Sequence, residues 1–371
     1  MSQAIYNQNV ADAVLAFHKT YLTDKNKIWN LGRDFRNYYF GKLESERMKT
    51  RSKDGKSFHI PYLMNGYSNV QLDSFFNPDS LNRQDLGEEA TVYWSMQKTH
   101  FAVDRREPGW GSNASPSMIY NYLELQSVNM MDKFYDANER FIWTLPTDPN
   151  DGSAGQVAPW GIPYWVVQSA TPAVGPNGGN PGNYSNVAGL SRTTYPKLKN
   201  YTATSAAMSH MDFVKKAAEM IDMMLWKPAR TSSMEQAANY RFEMVSGYQP
   251  FQQYQDLVTA SNDSLGADMG KYRGDVPYGT QIFRGVVWSW TDALTSSTLP
   301  DGTTNAAFDN KHPVYLLDWS TWELVGADGW YKKINEPITL DNPHNTVVVN
   351  MDTIYNLFCH NPRANGVIRT A

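Results

Sequence analysis

A run from Pro116 to Trp143 contains no glycine and no second proline, and Ser115 stands before it as a capping hydroxyl ahead of a proline at the first helical position. The pattern predicts one long helix. Ile119, Tyr122, Leu123, Gln126, Met130, Phe134, Ala137 and Phe141 recur at helical steps and form one stripe. At about 1.5 Å per residue such a helix spans roughly 40 Å, enough to cross a whole domain, so the rest of the fold has to be laid along it. Pro146 and the turn signal Asp148-Pro149-Asn150-Asp151-Gly152 stop it.

Upstream, Val10 to about Leu43 is also helical in pattern, with Val14, Leu15, Phe17, Leu22, Ile28, Leu31, Phe35 and Tyr39 at three- and four-residue steps. Charged residues interrupt it throughout, which reads as an arm rather than a core element. The charge-rich stretch Glu44 to Lys56, ending in Asp54-Gly55, reads as a loop or exposed hairpin turn. From Phe58 to Val103 the period moves towards two. Val92, Trp94 and Met96 share one face against Ser95, Gln97 and Thr99, as in a half-buried antiparallel strand whose partner is expected at Phe58 to Met64. Between them, Asn77-Pro78-Asp79-Ser80 and Asp85-Leu86-Gly87 interrupt any buried run. A two-stranded excursion results, and since an isolated ribbon is marginally stable, a neighbouring subunit is expected to cover it.

Downstream, Pro159 to Thr204 is rich in Gly, Pro, Asn and aromatic residues and reads as ordered loop held by Trp160, Tyr164 and Trp165, with Gly175 to Gly182 its most irregular part. Helices are expected at His210–Trp226, where Phe213, Ala217, Met220, Ile221 and Met224 share a face and Ser209-x-x-Asp212 looks like a capping box, then at Met234–Val245 and Phe251–Leu265. Thr346 to Asp352 alternates as a strand. This interleaving gives an α+β fold in which a late strand returns to the early ones.

Composition narrows the chemistry. The chain has 371 residues, 41% hydrophobic and 19% charged, too apolar for disorder and without the roughly 18 to 20 consecutive apolar residues of a membrane helix. A net charge of −4 argues against a surface devoted to nucleic acid, so any DNA contact is weak and local. The N-terminus lacks a signal-peptide pattern, and the one cysteine, Cys359, fits a reducing cytoplasm. Gly109-Trp110-Gly111-Ser112-Asn113-Ala114 imitates a dinucleotide fingerprint, but Trp110 is bulky where phosphates would approach and no acid-ended strand follows the helix. The seven histidines show no metal-site spacing. Cys359 and His360 alternate across a strand and cannot form a nucleophile–base pair, so Cys359 is expected to be a buried apolar residue. Twelve tryptophans raise a carbohydrate-active enzyme, with Asp318-Trp319 and Trp322-Glu323 the places to look. Core and interface aromatics explain them better. The sequons at Asn113, Asn183, Asn200 and Asn262 are chance in a chain with no export signal. No catalytic, cofactor or metal residue is assigned.

Tyr93-Trp94-Ser95-Met96-Gln97-Lys98-Thr99-His100-Phe101 through Gly109, Ile119 to Met131, Phe141-Ile142-Trp143, Pro159 to Gln168, Gly178-Gly179-Asn180-Pro181 and Tyr195 to Tyr201 form an ordered series that resembles a block in tailed-phage and prophage capsid proteins. The resemblance covers about Tyr93 to Tyr201 and implies the Hong Kong 97-type capsid fold. It lays out residues 1–56 as an N-terminal arm and 57–91 as an extended loop. Residues 92–158 become a peripheral domain with its spine helix at 116–143, 159–341 an axial domain, and 342–371 the strand returning to the peripheral sheet. The implied function is a non-enzymatic major capsid protein that self-assembles through pentamers and hexamers into an icosahedral virion shell around double-stranded DNA. Portal, scaffold or decoration proteins are the implied partners, no membrane is involved, and assembly is expected in the host cytoplasm. An encapsulin-type nanocompartment is the alternative with the same fold. Some relatives cross-link Lys to Asn between subunits, and no such pair is assigned here.

Overall fold

The computed structural model describes residues 35, 37–51, 55–63, 87–104, 116–147, 157–182, 184–224, 242–262, 281–298, 304–339 and 346–371. Residues 10–34 of the helix expected over 10–43, the loop tip at 64–86 and the glycine turn at Gly109–Ala114 lie outside them, and the described helix begins at Tyr39. In chain order the first elements are helix α1 (Tyr39–Arg47), strands β1 (Met48–Arg51), β2 (Ser57–Leu63), β3 (Gly87–Tyr93) and β4 (Ser95–Asp104), and helix α2 (Pro116–Trp143). Then come β5 (Tyr201–Ser205), α3 (Met211–Met224), β6 (Phe242–Ser246), α4 (Tyr248–Asn262), β7 (Gln281–Phe283), β8 (Val286–Trp290), β9 (Val314–Asp318) and β10 (Trp322–Ala327). β11 (Lys333–Ile334), β12 (Ile338–Thr339), β13 (Thr346–Cys359) and β14 (Gly366–Thr370) follow.

The long helix has the bounds expected of it. Its buried side is broader than one stripe. Met130 and Phe134 are buried as expected, Phe141 is exposed, and Asp136, Asn138 and Glu139 are buried instead. The reason is that the helix is covered by both the first sheet and α1, Asn138 meeting Tyr355 and Glu139 meeting the Phe40 amide. Phe35, Tyr39, Phe40 and Leu43 all sit in the main core, and Phe40 stacks edge-on to both Phe134 and Tyr355. Tyr39, Phe40 and Leu43 of α1 are thus packed into the core, while Ser45, Glu46, Lys49 and Thr50 remain exposed. The charge-rich stretch after Leu43 is not a loop, because α1 continues to Arg47 and passes into β1, which pairs in parallel with β10.

Polar groups fix α1 to its surroundings. Glu139 of α2 accepts hydrogen bonds from the Phe40 amide at 2.9 Å and the Trp143 indole at 2.8 Å. Glu243 of β6 meets Lys42, accepts from the Ser289 hydroxyl at 2.6 Å and from the Trp319 indole at 2.7 Å, and lies 3.3 Å from the Tyr39 hydroxyl. Glu44 in turn accepts from Tyr135 at 2.8 Å and Tyr331 at 2.9 Å and pairs with Lys332.

β2 and β3 form the expected antiparallel ribbon, with Phe58 opposite Val92 and Ile60 opposite Ala90, all four buried. Over the described residues the chain itself supplies cover for this ribbon. Thr91 donates its amide to the Ala188 carbonyl at 2.9 Å, and the hydroxyls of Tyr195 and Tyr62 donate to Glu88 at 2.5 Å and to the Cys359 carbonyl at 3.0 Å. At Trp94 the chain leaves the ribbon, its amide donating to the Lys56 carbonyl, and β4 joins a different sheet. The side-chain alternation is reset at this break. Trp94 and Ser95 are both buried and Met96 is 63% exposed, so the single face expected for Val92, Trp94 and Met96 does not exist.

The first sheet is built on β13. It pairs along one edge with β4 from Thr346↔Asp104 to Tyr355↔Ser95, and along the other with β10, β11 and β12, so the late strand does return to the early one. The second sheet has the order β5-β14-β9-β6-β8-β7. Phe242–Ser246, expected to end a helix, is instead the strand β6 between β9 and β8; a short apolar run buried on both faces shows no alternation and reads either way. α3 buries the five residues named for it. Its Asp212 does not close a box with Ser209 but turns back to the Ala206 amide and Lys216.

Besides the long passage from β4 to β5, the chain crosses between the sheets at residues 319–321 after β9 and at 360–365 after β13. The buried amide of Asn365 pins both crossings. Its Oδ1 accepts from the Asp318 amide at 2.9 Å and the Trp322 indole at 3.0 Å, and its Nδ2 donates to the Thr321 hydroxyl and the Asn361 carbonyl. Removing that side chain leaves two buried donors unpaired, each costing about 1–3 kcal/mol. Asn365→Ala is therefore expected to lower the denaturant midpoint of the folded chain far more than Asn177→Ala in the irregular loop, with urea unfolding as the measurement. A second expectation concerns pH. Burial, only partly offset by its hydrogen bonds from Phe40 and Trp143, raises the Glu139 carboxyl to about 7. The native state then keeps this proton to higher pH than the unfolded chain, so its contribution to stability declines as pH rises from about 4.5 to about 7. Glu139→Gln should flatten stability across that window; an unchanged slope would refute the assignment.

Candidate functional site

The two acid–aromatic pairs that suggested sugar chemistry are fully engaged in holding the fold. Asp318 caps the turn after β9, its Oδ1 accepting from the Ser320 amide at 3.0 Å and the Ser320 hydroxyl at 2.6 Å. Trp319 stacks on Tyr39, Trp322 reaches Asn365, and neither indole is exposed. Glu323 is buried against Lys49, Arg51 and His360. Burial opposes its ionisation, but hydrogen bonds from His360 and Lys49 win and hold the carboxyl at about 2. None of these groups faces an open cleft as a general acid or a stacking platform would.

Cys359 is buried, as expected, and burial pushes its thiol up to about 12 against a weak contact from the Thr321 hydroxyl. His360 points away to Glu323 at 2.5 Å, so the two adjacent residues do not meet. Asn200, one of the chance sequons, is fully buried: its Oδ1 accepts from the Val167 amide and from Arg192, and its Nδ2 donates to the Val167 and Tyr201 carbonyls. Arg192 itself is buried without a carboxylate and donates to the carbonyls of Gly179 and Trp165. Asn356 plays the same part nearer the ribbon, accepting from the Trp160 amide at 2.8 Å and donating to the Tyr93 carbonyl at 2.6 Å. Sequence reasoning found the aromatics of this loop and missed the amides that hold it. Among the described residues no group of three or more His, Cys, Asp or Glu side chains could hold a metal ion, and no helix is long and apolar enough to cross a membrane.

Among the described residues, several strands leave apolar side chains accessible. β7 is the outer strand of the second sheet, and its hairpin with β8 turns through Arg284 and Gly285, both at positive φ as a two-residue turn requires. Ile282 lies directly opposite Val287 on this hairpin, and the pair is 59% and 42% exposed. Met96 on β4 and Ile338 on β12 are further exposed apolar residues, both on strands paired with β13.

No family model matches the chain, and no curated protein sequence matches it. Solved structures do. The capsid asymmetric unit of cyanophage A-1(L) is 11% identical, with 94% of this chain and 99% of that chain covered at a TM-score of 0.53. The mature capsid asymmetric unit of bacteriophage PhiM1 is 12% identical, with 94% and 90% covered at 0.48, and the encapsulin complex of Synechococcus elongatus PCC 7942 is 11% identical, with 95% and 94% covered at 0.44. The likeness to the cyanophage subunit covers nearly all of both chains, and it makes the fold of this chain the Hong Kong 97-type capsid fold.

Proposed function

We propose that the chain is the shell subunit of a tailed-phage head, self-assembling through pentamers and hexamers into an icosahedral virion capsid around double-stranded DNA. The observation that carries this reading is the end-to-end likeness to a phage capsid subunit, covering nearly all of both chains. It agrees with a chain whose buried carboxylates are spent on structure and whose accessible features include an outer strand and exposed apolar side chains. On this reading residues 57–91 form the extended loop and 92–158 with 342–371 the peripheral domain. Residues 159–341 form the axial domain that meets its copies about the symmetry axes, and assembly takes place in the host cytoplasm with portal, scaffold or decoration proteins as partners.

The β7–β8 hairpin belongs to the axial part, and its Ile282–Val287 pair is assigned to the contact with the adjacent subunit. Exposed apolar pairs of this size anchor interfaces when a partner removes them from water. Electron microscopy of the expressed full chain is expected to find closed icosahedral particles; a protein that stays monomeric at every concentration and salt would overturn the reading. Particles filled with a protein cargo instead of DNA would favour the nanocompartment role. Ile282→Lys with Val287→Lys should leave the melting temperature within a few degrees of the parent while reducing particle yield at least tenfold, as read by sedimentation.

A further inference from the structure

The chain as a whole is slightly acidic, but one stretch runs the other way. Arg47, Lys49, Arg51, Lys53 and Lys56 lie within residues 47–56, with Asp54 their lone acid. The first four alternate at every second position. In β1 that alternation places Lys49 and Arg51 on one face of a strand, about 6.6 Å apart along it, and β1 is the outermost strand of the first sheet.

Both side chains turn towards Glu323 of β10. The Lys49 ammonium lies 2.9 Å from Oε2, the Arg51 guanidinium 3.6 Å from Oε1, and His360 Nε2 2.5 Å from Oε2. Glu323 is a single buried charge, 3% exposed, whereas the side chains around it are open to water: Lys49 at 64%, His360 at 40% and Arg51 at 36%. A guanidinium offers five donors and an ammonium three, and one carboxylate cannot use them all. Two permanent positive charges against one negative leave an excess facing solvent. Arg51 is further steadied by lying over the Phe58 ring at 5.5 Å. Asp328, an acid, follows β10 and donates its amide to the Arg51 carbonyl, at the end of the strand away from Lys49.

We infer that Lys49, Arg51 and His360, gathered on the buried Glu323, form a contact site for the phosphodiester backbone of duplex nucleic acid. The chemistry favours phosphate over an acidic protein segment. A protein interface needs an apolar anchor at its centre, and no large exposed apolar side chain lies on β1 or β10. A forked guanidinium beside a mobile ammonium suits singly charged groups repeating along a strand. Such contacts position a duplex without reading its sequence, so the site is indifferent to base composition. The inference deepens the shell reading by giving the enclosed nucleic acid a place to touch, yet it is tested by DNA binding and not by particle formation.

The measurement is fluorescence anisotropy of the dispersed full chain with a labelled random-sequence duplex, titrated over salt. Each neutralised phosphate contributes about 0.9 to the slope of log affinity against log salt, so Lys49→Gln with Arg51→Gln should make the slope shallower by about 2. Because that pair of changes strips partners from Glu323, a variant that also carries Glu323→Gln is measured beside it, with thermal melting to certify the fold. Glu323→Gln alone separates the alternatives most sharply. If the cluster only braces β1 on β10, this change lowers the melting temperature and leaves DNA affinity as it was. If the cluster is a phosphate site, the freed cations bind the duplex at least threefold more tightly. A folded triple variant with parental affinity and slope would overturn the inference. So would polyglutamate binding more tightly than the duplex, which would reassign the patch to an acidic partner, or low-millimolar inorganic phosphate displacing the duplex at constant ionic strength, which would make it a site for the free ion. Particles still forming in all these variants would keep the shell reading apart from the result.

Discussion

The two short covalent passages between the sheets converge on one buried amide. β9 ends and β10 begins across residues 319–321, β13 ends and β14 begins across 360–365, and Asn365 bonds to the Asp318 amide, the Trp322 indole, the Thr321 hydroxyl and the Asn361 carbonyl at that junction. Its own carbonyl accepts from the Tyr201 amide, which starts β5 on the far side of β14. Within a low-dielectric interior each of these bonds is strong, and each would be costly to leave unmade. The relative setting of the sheets, and with it the bed in which α1 and α2 lie, follows from satisfying this one side chain.

The same device recurs wherever the chain is irregular and buried at once. Backbone groups in residues 157–200 have little ladder to pair with, so they need partners from side chains. Asn200, Asn356 and Arg192 supply them, with both the acceptor and the donor ends of each amide in use. Gly161 shows how closely the loop is drawn in: a Cβ there would come within 3 Å of the carbonyl oxygens of Phe141, Ile142 and Thr144, the last turn of α2. Around α1 the equivalent work is done by carboxylates from three directions, Glu139, Glu243 and its own Glu44.

How much of this could be read from residues alone depended on whether a signal was local. The helix at Pro116–Trp143 carries its start, its period and its stop in its own sequence, and its bounds came out unchanged. The pairing of Phe58 with Val92 and the return of the late strand were legible because alternating runs stand out. The break at Trp94 was not. It arises because the chain changes partners there, from β2 to β13, and nothing near Trp94 announces a partner some 250 positions away. β6 failed for a related reason: Phe242–Ser246 lies between two strands and is covered on both faces, so periodicity vanishes. The buried asparagines were illegible in principle, since an isolated Asn in a glycine-rich stretch reads as a turn and only geometry shows it as a clasp. The site-level reading was largely one of exclusion, and the carboxylates that define the interior were seen only once their donors were in view.

The position of β13 and β14 in chain order has a bearing on how the molecule is made. β13 is the strand on which β4, β10, β11 and β12 all depend, and β14 completes the second sheet between β5 and β9. Both come after every other described strand. A chain emerging from the ribosome therefore holds its earlier strands without their central partner until residues 346–370 have been synthesised, and contacts of such long sequence separation close slowly. Neither sheet can be finished early. An incomplete polypeptide therefore has both sheets unfinished, with the edges that β13 and β14 pair left open until the last strands are in place.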